Sequence, residues 1–105
     1  MDNDTAADCM ESLGNPTRLE IYRRLVRAGT DGLAVGQLQE KLNMPGSTLS
    51  HHLHHLVAND LVAQTREGRV LRCTANYGRM TALVGYLTDE CCADADNGTC
   101  AEDCA

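Results

Sequence analysis

The sequence predicts a mainly α-helical fold with one small β-hairpin, and three observations carry that prediction. Apolar residues recur at helical spacing in four stretches, residues 16–28, 33–42, 47–59 and 77–92. A tight turn containing Pro45 and Gly46 joins the second stretch to the third. Two β-prone runs, 61–66 and 69–75, are then separated only by Glu67-Gly68, which is the signal of a two-residue hairpin. This order of elements is that of a winged helix-turn-helix.

Capping and breaking residues mark where the helices begin and end. Asn15 is suited to the N-cap of the first of these helices and Pro16 to its first turn. The glycines between residues 29 and 32 end it. The last helix is expected to run from Tyr77 to about Cys92, with an apolar stripe at Met80, Leu83, Val84, Leu87 and Cys91. A fainter pattern suggests one more helix at residues 5–13.

The length of 105 residues allows one folded domain, which we place at residues 1–92. Residues 93–105 are expected to form a flexible, acidic, cysteine-containing tail. All nine Lys and Arg lie within residues 12–88, against five acidic residues, so this middle part carries a net charge of +4. The overall charge of −6 therefore does not exclude a polyanionic partner. Because Trp and Phe are absent, stacking on single-stranded nucleic acid is not expected.

The cysteine usage points to metal or redox chemistry in a reducing compartment. The acidic start of the chain has no apolar run behind it, so no secretory signal is expected and we predict a cytoplasmic protein. The longest uncharged stretch, residues 42–59, contains Pro45 and four His and cannot span a membrane. In a reducing compartment, thiols bind metals or sense redox state more often than they form structural disulfides. Four of the six cysteines lie in the last 15 residues, namely Cys91, Cys92, Cys100 and Cys104.

The third helix of the predicted fold has the character of a DNA-recognition helix. Its apolar residues fall on one face, and the opposite face is small and hydrogen-bonding, with no acidic residue before Asp60. Its N-terminus suits a phosphate, and two arginines flank the hairpin tip, where a wing reaches a minor groove. The candidate DNA-binding residues are Ser47, Thr48, Ser50, His51, His54, His55, Arg66 and Arg69. The alternatives are a solvated His-rich face, a metal site at His51 and His55, and two ordinary exposed arginines.

Four segments of the chain resemble the ArsR/SmtB family. They are Leu-Gly-Asn-Pro-Thr-Arg-Leu-Glu-Ile at 13–21, Ser-Thr-Leu-Ser-His-His-Leu-His-His-Leu at 47–56, Asp-Leu-Val at 60–62 and Glu-Gly-Arg at 67–69. The resemblance covers roughly residues 10–92. It implies a homodimeric winged-helix repressor, built largely through the first and last helices, that binds an inverted repeat in double-stranded operator DNA and leaves it when a metal or metalloid binds. The apolar stripe of the last helix also needs a covering partner.

The resemblance implies a sensing site whose location varies within the family. One version places a thiol pair in the helix before the recognition helix, but residues 33–39 contain no Cys. Another uses Asp and His across the last helices, but no His follows His55. What remains is Cys91, Cys92 and Cys100, with Cys104 as the alternate third ligand, and the third thiol can belong to either subunit.

Vicinal thiols with a third thiol nearby suit a soft, three-coordinate ion, whereas zinc prefers four ligands. Family members with such a C-terminal pair respond to As(III), and some to Sb(III), which are therefore the expected inducers. A four-thiolate Zn(II) or Cd(II) site and a thiol-redox or persulfide switch are the alternatives. We expect ligand capture to pull the tail onto the dimer interface and weaken DNA binding, with a coupling of about 1–3 kcal/mol.

The two cysteines outside the C-terminal region have no predicted role in sensing. Cys73 is expected to pack in the core, and Cys9 to be a bystander near the dimer interface. No enzyme is expected, because the sequence has no credible Ser/His/Asp pattern and no nucleotide-binding Gly loop. A metal buffer built on the tail, or a DNA-binding protein with no ligand, remain the competing classes.

Overall fold

The computed structural model describes residues 1–95, which fold into five α-helices and a three-stranded antiparallel sheet. The elements in chain order are α1 (Asn3–Leu13), α2 (Pro16–Ala28), β1 (Leu33–Ala34), α3 (Val35–Leu42), α4 (Gly46–Ala58), β2 (Val62–Glu67), β3 (Val70–Ala75) and α5 (Tyr77–Thr88). A 3-10 turn, Gly29–Asp31, follows α2. The sheet order is β1-β3-β2. The predicted helix-turn-helix followed by a hairpin is confirmed as α3, α4 and the β2–β3 hairpin.

The N-cap of α2 forms where the sequence predicts it. The Asn15 side chain accepts hydrogen bonds from the backbone N–H groups of Thr17 and Arg18, at 2.9 and 3.1 Å, so α2 begins at Pro16. Asp2 caps α1 in the same way through the N–H of Thr5, at 2.7 Å. Such a cap stabilises a helix by about 1 kcal/mol. The faintly indicated first helix is therefore real and begins at Asn3.

Two details of the sheet differ from the prediction. Leu33 and Ala34 were expected in a helix, but they form β1, which pairs with Cys73 and Arg72 of β3. The hairpin loop is Gly68-Arg69 rather than Glu67-Gly68, since Glu67 still pairs with Val70. Gly68 has the expected positive φ, 64°, and in a two-residue loop either central position accommodates such a glycine.

The last helix is shorter than expected and ends at Thr88, not at Cys92. Glu90 and Cys92 have φ values of 57° and 64°, which a helix does not permit. The acidic Asp89 and Glu90 oppose the helix dipole at this end. The Thr88 hydroxyl meanwhile donates to the carbonyl oxygen of Val84 at 3.0 Å. Cys91 and Cys92 therefore lie in a turn beyond α5, and Cys91 is exposed rather than part of a buried apolar stripe.

The core lies between the helices and the sheet, and a second apolar surface remains uncovered. The fully buried apolar side chains of the core include Ile21, Leu25, Leu38, Leu49, Leu56 and Leu61. On α1 and α5, by contrast, Met10, Val84 and Leu87 are 50, 57 and 55% exposed. Among residues 1–95, no helix is long and apolar enough to cross a membrane.

Candidate nucleic-acid interface and thiol segment

Helix α4 is held by its apolar face and presents its polar face outward. Leu49, Leu53 and Leu56 are buried against the core, as their spacing of three and four predicts. The predicted contacts Ser47, Thr48, Ser50, His51 and His54 are all exposed. Pro45, at the N-cap, makes no side-chain cap. The first backbone N–H groups of α4 therefore have no capping side chain, and such groups suit a phosphate.

A groove brings four of the eight predicted DNA contacts together. Ser50 and His54 of α4 face Arg66 and Arg69 of the hairpin across a groove of about 610 Å³. Within the described residues, neither arginine forms an ion pair. Arg72 differs, because it forms an ion pair with Glu67 at 2.7 Å. The hydrogen bond that Arg72 donates to Glu67 raises the pKa of the Arg72 guanidinium. Arg66 and Arg69 are therefore the cations of the hairpin left available to a polyanion.

The structure places His55 away from this groove. Its Nδ1 lies 3.0 Å from the Ser12 hydroxyl oxygen, so the ring faces α1. Ser47, Thr48 and His51 do not line the groove but lie on the exposed surface of α4. In residues 1–95, no group of three or more His, Cys, Asp or Glu side chains is arranged to hold a metal ion. This finding gives no support to the alternative of a His metal site on α4.

His52, also on α4, is half-buried. Burial lowers the pKa of its imidazole, and the nearby positive charge of Arg18 lowers it further. Its Nδ1 is buried and has no hydrogen-bond partner within the described residues. Burial and the charge of Arg18 therefore both favour the neutral form of the imidazole. Only the packing of α4 against the preceding helices reveals this, so the sequence pattern offered no signal for it.

Cys91 and Cys92 lie in the turn just beyond α5, and Cys92 is disulfide-bonded. The Cys91 and Cys92 sulfurs are 3.6 Å apart, with Cys91 exposed and Cys92 half-buried. The backbone N–H of Cys91 donates to the carbonyl of Thr88 at 3.2 Å, which ties the turn to the helix end. Cys100 and Cys104, the predicted third and alternate ligands, lie outside the described residues, as does most of the predicted tail.

The other two cysteines are buried in the protomer. Cys73 has no solvent exposure, burial raises the pKa of its thiol, and the Gln64 amide donates to its sulfur at 3.4 Å. This environment agrees with the expected packing role. Cys9 is equally buried, and its thiol lies 3.8 Å from the carbonyl oxygen of Asn59. Neither thiol is accessible to an ion from solvent in this conformation.

Comparison with known proteins gives the family. A family model described as "Helix-turn-helix domain" matches residues 13–65. Nodulation protein NolR of Rhizobium meliloti is 32% identical over 88 residues, which are 84% of this chain and 70% of NolR.

Two solved structures share the fold. An ArsR-like transcriptional regulator from Rhodococcus sp. RHA1 superposes with a TM-score of 0.74 at 23% identity, covering 90% of this chain and 85% of that one. The homodimeric winged helix-turn-helix domain of Mb0332 from Mycobacterium bovis, a possible ArsR-family regulator, has a TM-score of 0.65 at 29% identity and covers 83% and 81%. The first is described as a transcriptional regulator and the second as a possible one. The chain belongs to the helix-turn-helix family and is a winged helix-turn-helix transcription regulator of the ArsR type.

Proposed function

We propose that this chain is a cytoplasmic, homodimeric, metalloid-responsive repressor. It binds an inverted repeat in operator DNA and is released when As(III) or Sb(III) binds Cys91, Cys92 and a third thiol, either Cys100 or Cys104. The observation that carries the sensing part is the pair of neighbouring sulfurs, 3.6 Å apart, at the turn beyond α5.

A second copy of the chain is the partner for the uncovered apolar surface. Met10 lies on α1 and Val84 and Leu87 on α5, and these side chains are at least half exposed. The Tyr86 hydroxyl donates to the Asn3 side-chain oxygen at 3.1 Å and so joins the two helices into one surface. The related Mb0332 domain is homodimeric. A two-fold dimer presents two copies of α4 to two half-sites of an inverted repeat.

The groove between α4 and the hairpin supports the DNA-binding role. Helix α4 fits a major groove with Ser50 and His54 toward the base edges. Arg66 and Arg69 then reach the adjacent backbone or minor groove. None of the acidic side chains of residues 1–95 lines this groove, so a phosphate meets none of those carboxylates there.

Arg69→Gln is expected to weaken operator binding and to lower its salt dependence. Each neutralised phosphate releases counterions, so losing one contact per subunit reduces the slope of log K against log salt by about 1 for each subunit. The measurement is a titration with the duplex that the protein selects from a random-sequence pool, repeated at several salt concentrations. Arg27→Gln, which removes one exposed charge from α2 outside the groove, is the matched control and should keep the slope. Equal slopes for Arg69→Gln and the unmodified protein would contradict this interface.

Once Cys92 is reduced, the spacing of the two neighbouring cysteines fits two ligands of a single ion. In a tetrahedral thiolate site with metal–sulfur bonds of about 2.3 Å, two sulfurs lie about 3.8 Å apart. The observed 3.6 Å between the Cys91 and Cys92 sulfurs is close to that separation. Since residues 1–95 offer no complete group of three ligands, the third thiol must come from residues 96–105 or from the second subunit. As(III) and Sb(III), which are satisfied by three soft thiolates, need no further ligand.

Release follows from where the thiols lie relative to the dimer surface. The pair begins three residues after α5, the helix that carries Val84 and Leu87. Drawing a third thiol toward the pair changes the path of the chain at this end of α5. This alters the packing of the two subunits and the separation of their α4 helices, so the affinity for DNA falls.

A free-thiol count on the reduced protein tests the sensing site. We expect arsenite or antimonite to protect three thiols per subunit, since three thiolates complete their coordination. Protection of four thiols by Zn(II) or Cd(II), but not by arsenite or antimonite, would instead favour a divalent-metal sensor. If none of these ions protects thiols, oxidants and persulfides become the signals to test. Protection without any effect on operator binding would favour the metal buffer.

A further inference from the structure

We propose that a polar junction at the C-terminal end of α4 positions the recognition helix and transmits to it the displacements of α1 and α5. The junction is formed by Ser12, His55, Asn59 and Arg79. The transmission part rests on the proposed function. The positioning part depends only on operator binding.

Ser12 connects α1 to the recognition helix. It is the buried polar side chain of the core, with no solvent exposure. Its hydroxyl lies 3.0 Å from Nδ1 of His55. On its backbone side, the carbonyl oxygen accepts a hydrogen bond from Nε of Arg18 at 2.8 Å, so Ser12 is held from both directions. A buried hydroxyl that loses its partner is costly, which makes the Ser12–His55 contact a specific constraint.

Asn59, the C-cap residue directly after α4, connects the same helix to α5. Its side-chain amide donates to the carbonyl of His55 at 3.1 Å and lies 3.5 Å from the His55 ring nitrogen. Its own carbonyl accepts from Nε of Arg79 on α5 at 3.2 Å. Arg79 also pairs with Asp60 at 3.6 Å. The last turn of α4 is thus held by α1 on one side and by α5 on the other.

The two helices that meet at this junction are those that bear the uncovered apolar surface. Helix α5 leads, at its other end, to the vicinal thiols. A displacement of α5 moves Arg79 and therefore pulls on the carbonyl of Asn59. Because Asn59 and Ser12 both contact His55, the polar groups act as one unit rather than as separate bonds. The recognition helix therefore follows the helices of the dimer surface.

The neighbouring His54 supplies a matched control. It lies on the same helix turn but lines the groove between α4 and the hairpin, and it forms no hydrogen bond with the junction residues. Removing its ring weakens DNA contact directly. Removing the ring of His55 instead loosens the helix from α1.

A double-mutant cycle on operator affinity, without any inducer, tests the positioning role. The variants are Ser12→Ala, Arg79→Gln and their combination, measured as Kd for the duplex selected from a random-sequence pool. Groups in one network are non-additive, so we expect the combined change in Kd to differ at least about threefold from the product of the single changes. For the pair His54→Ala and Arg79→Gln, the combined change in Kd should equal the product of the single changes within about twofold. If the combined change in the Ser12 cycle also equalled that product, the proposed junction would be wrong. A thermal melt confirms that each variant is folded at the temperature used.

The release ratio, Kd with arsenite divided by Kd without it, tests transmission. We expect His55→Ala to reduce this ratio at least about threefold while three thiols per subunit are still protected. His54→Ala should weaken binding in both states and leave the ratio unchanged. An undiminished ratio in both His55→Ala and Ser12→Ala would overturn transmission. If the unmodified protein does not respond to arsenite, the proposed inducer fails, and the inducer-free cycle still decides the junction.

Discussion

A Cys92→Ser protein is expected to bind operator DNA as tightly as the unmodified protein and to stay bound when arsenite is added. Serine keeps the size of the side chain but replaces a soft thiolate with a hard hydroxyl, so the As(III) site loses one of three ligands. The release ratio, which for a typical allosteric coupling is about 5–150-fold, should fall to about one. Electrophoretic mobility shift with and without arsenite measures both quantities.

The other cysteines supply the controls for this result. Cys73→Ala removes a thiol buried in the core and should lower stability without removing the response. Cys100→Ser and Cys104→Ser should differ from each other, since only one of these residues is expected to supply the third thiol. If Cys92→Ser still left its operator on addition of arsenite, the proposed site would be wrong.

Gly32→Ala is expected to destabilise the fold strongly. Gly32 has φ 64° and ψ −159°, a conformation essentially restricted to glycine. An added Cβ would also overlap the Cys73 carbonyl oxygen and lie 2.6 Å from Cγ2 of Thr74. We expect a loss of at least about 4 kcal/mol in the free energy of unfolding, the range in which backbone strain and steric overlap combine. Urea denaturation at a fixed protein concentration measures it.

Gly29→Ala separates strain from overlap. Gly29 has nearly the same backbone conformation, φ 77° and ψ −161°, but its added Cβ would meet no atom within 4 Å. Only the conformational strain remains, so the expected cost is about 1–3 kcal/mol. Equal losses for the two variants would show that the close approach of Gly32 to β3 does not limit stability.

The features predicted correctly from the sequence are those governed by near neighbours along the chain. Asn15 and Pro16 define the start of α2 because an N-cap contacts backbone groups only two or three residues away. The spacing of Leu49, Leu53 and Leu56 assigns the buried face of α4, because a helix repeats every 3.6 residues.

The features that were missed depend on contacts between distant parts of the chain. The strand β1 has only two residues, and its partners Cys73 and Arg72 lie about forty positions later. His55 stays a predicted DNA contact by its angle on α4, and helical spacing does not reveal its contact with Ser12 of α1, which lies 43 positions earlier in the chain. The end of α5 is different, because the apolar spacing continues to Cys91 while the acidic Asp89 and Glu90 favour termination. Helical periodicity alone does not include the unfavourable interaction of these two carboxylates with the helix dipole.

The pairing of β1 with β3 has a consequence for the proposed operator. Leu33 and Ala34 lead directly into α3 and are hydrogen-bonded to the strand that ends the hairpin. Arg72 adds a second tie through the carbonyl of Asp31, at 3.3 Å. These ties fix the position of the wing relative to the helix-turn-helix, and so they fix the distance between α4 and the hairpin tip. A half-site lengthened by one base pair, about 3.4 Å along the duplex, would therefore keep the contacts of α4 or those of the hairpin tip, but not both.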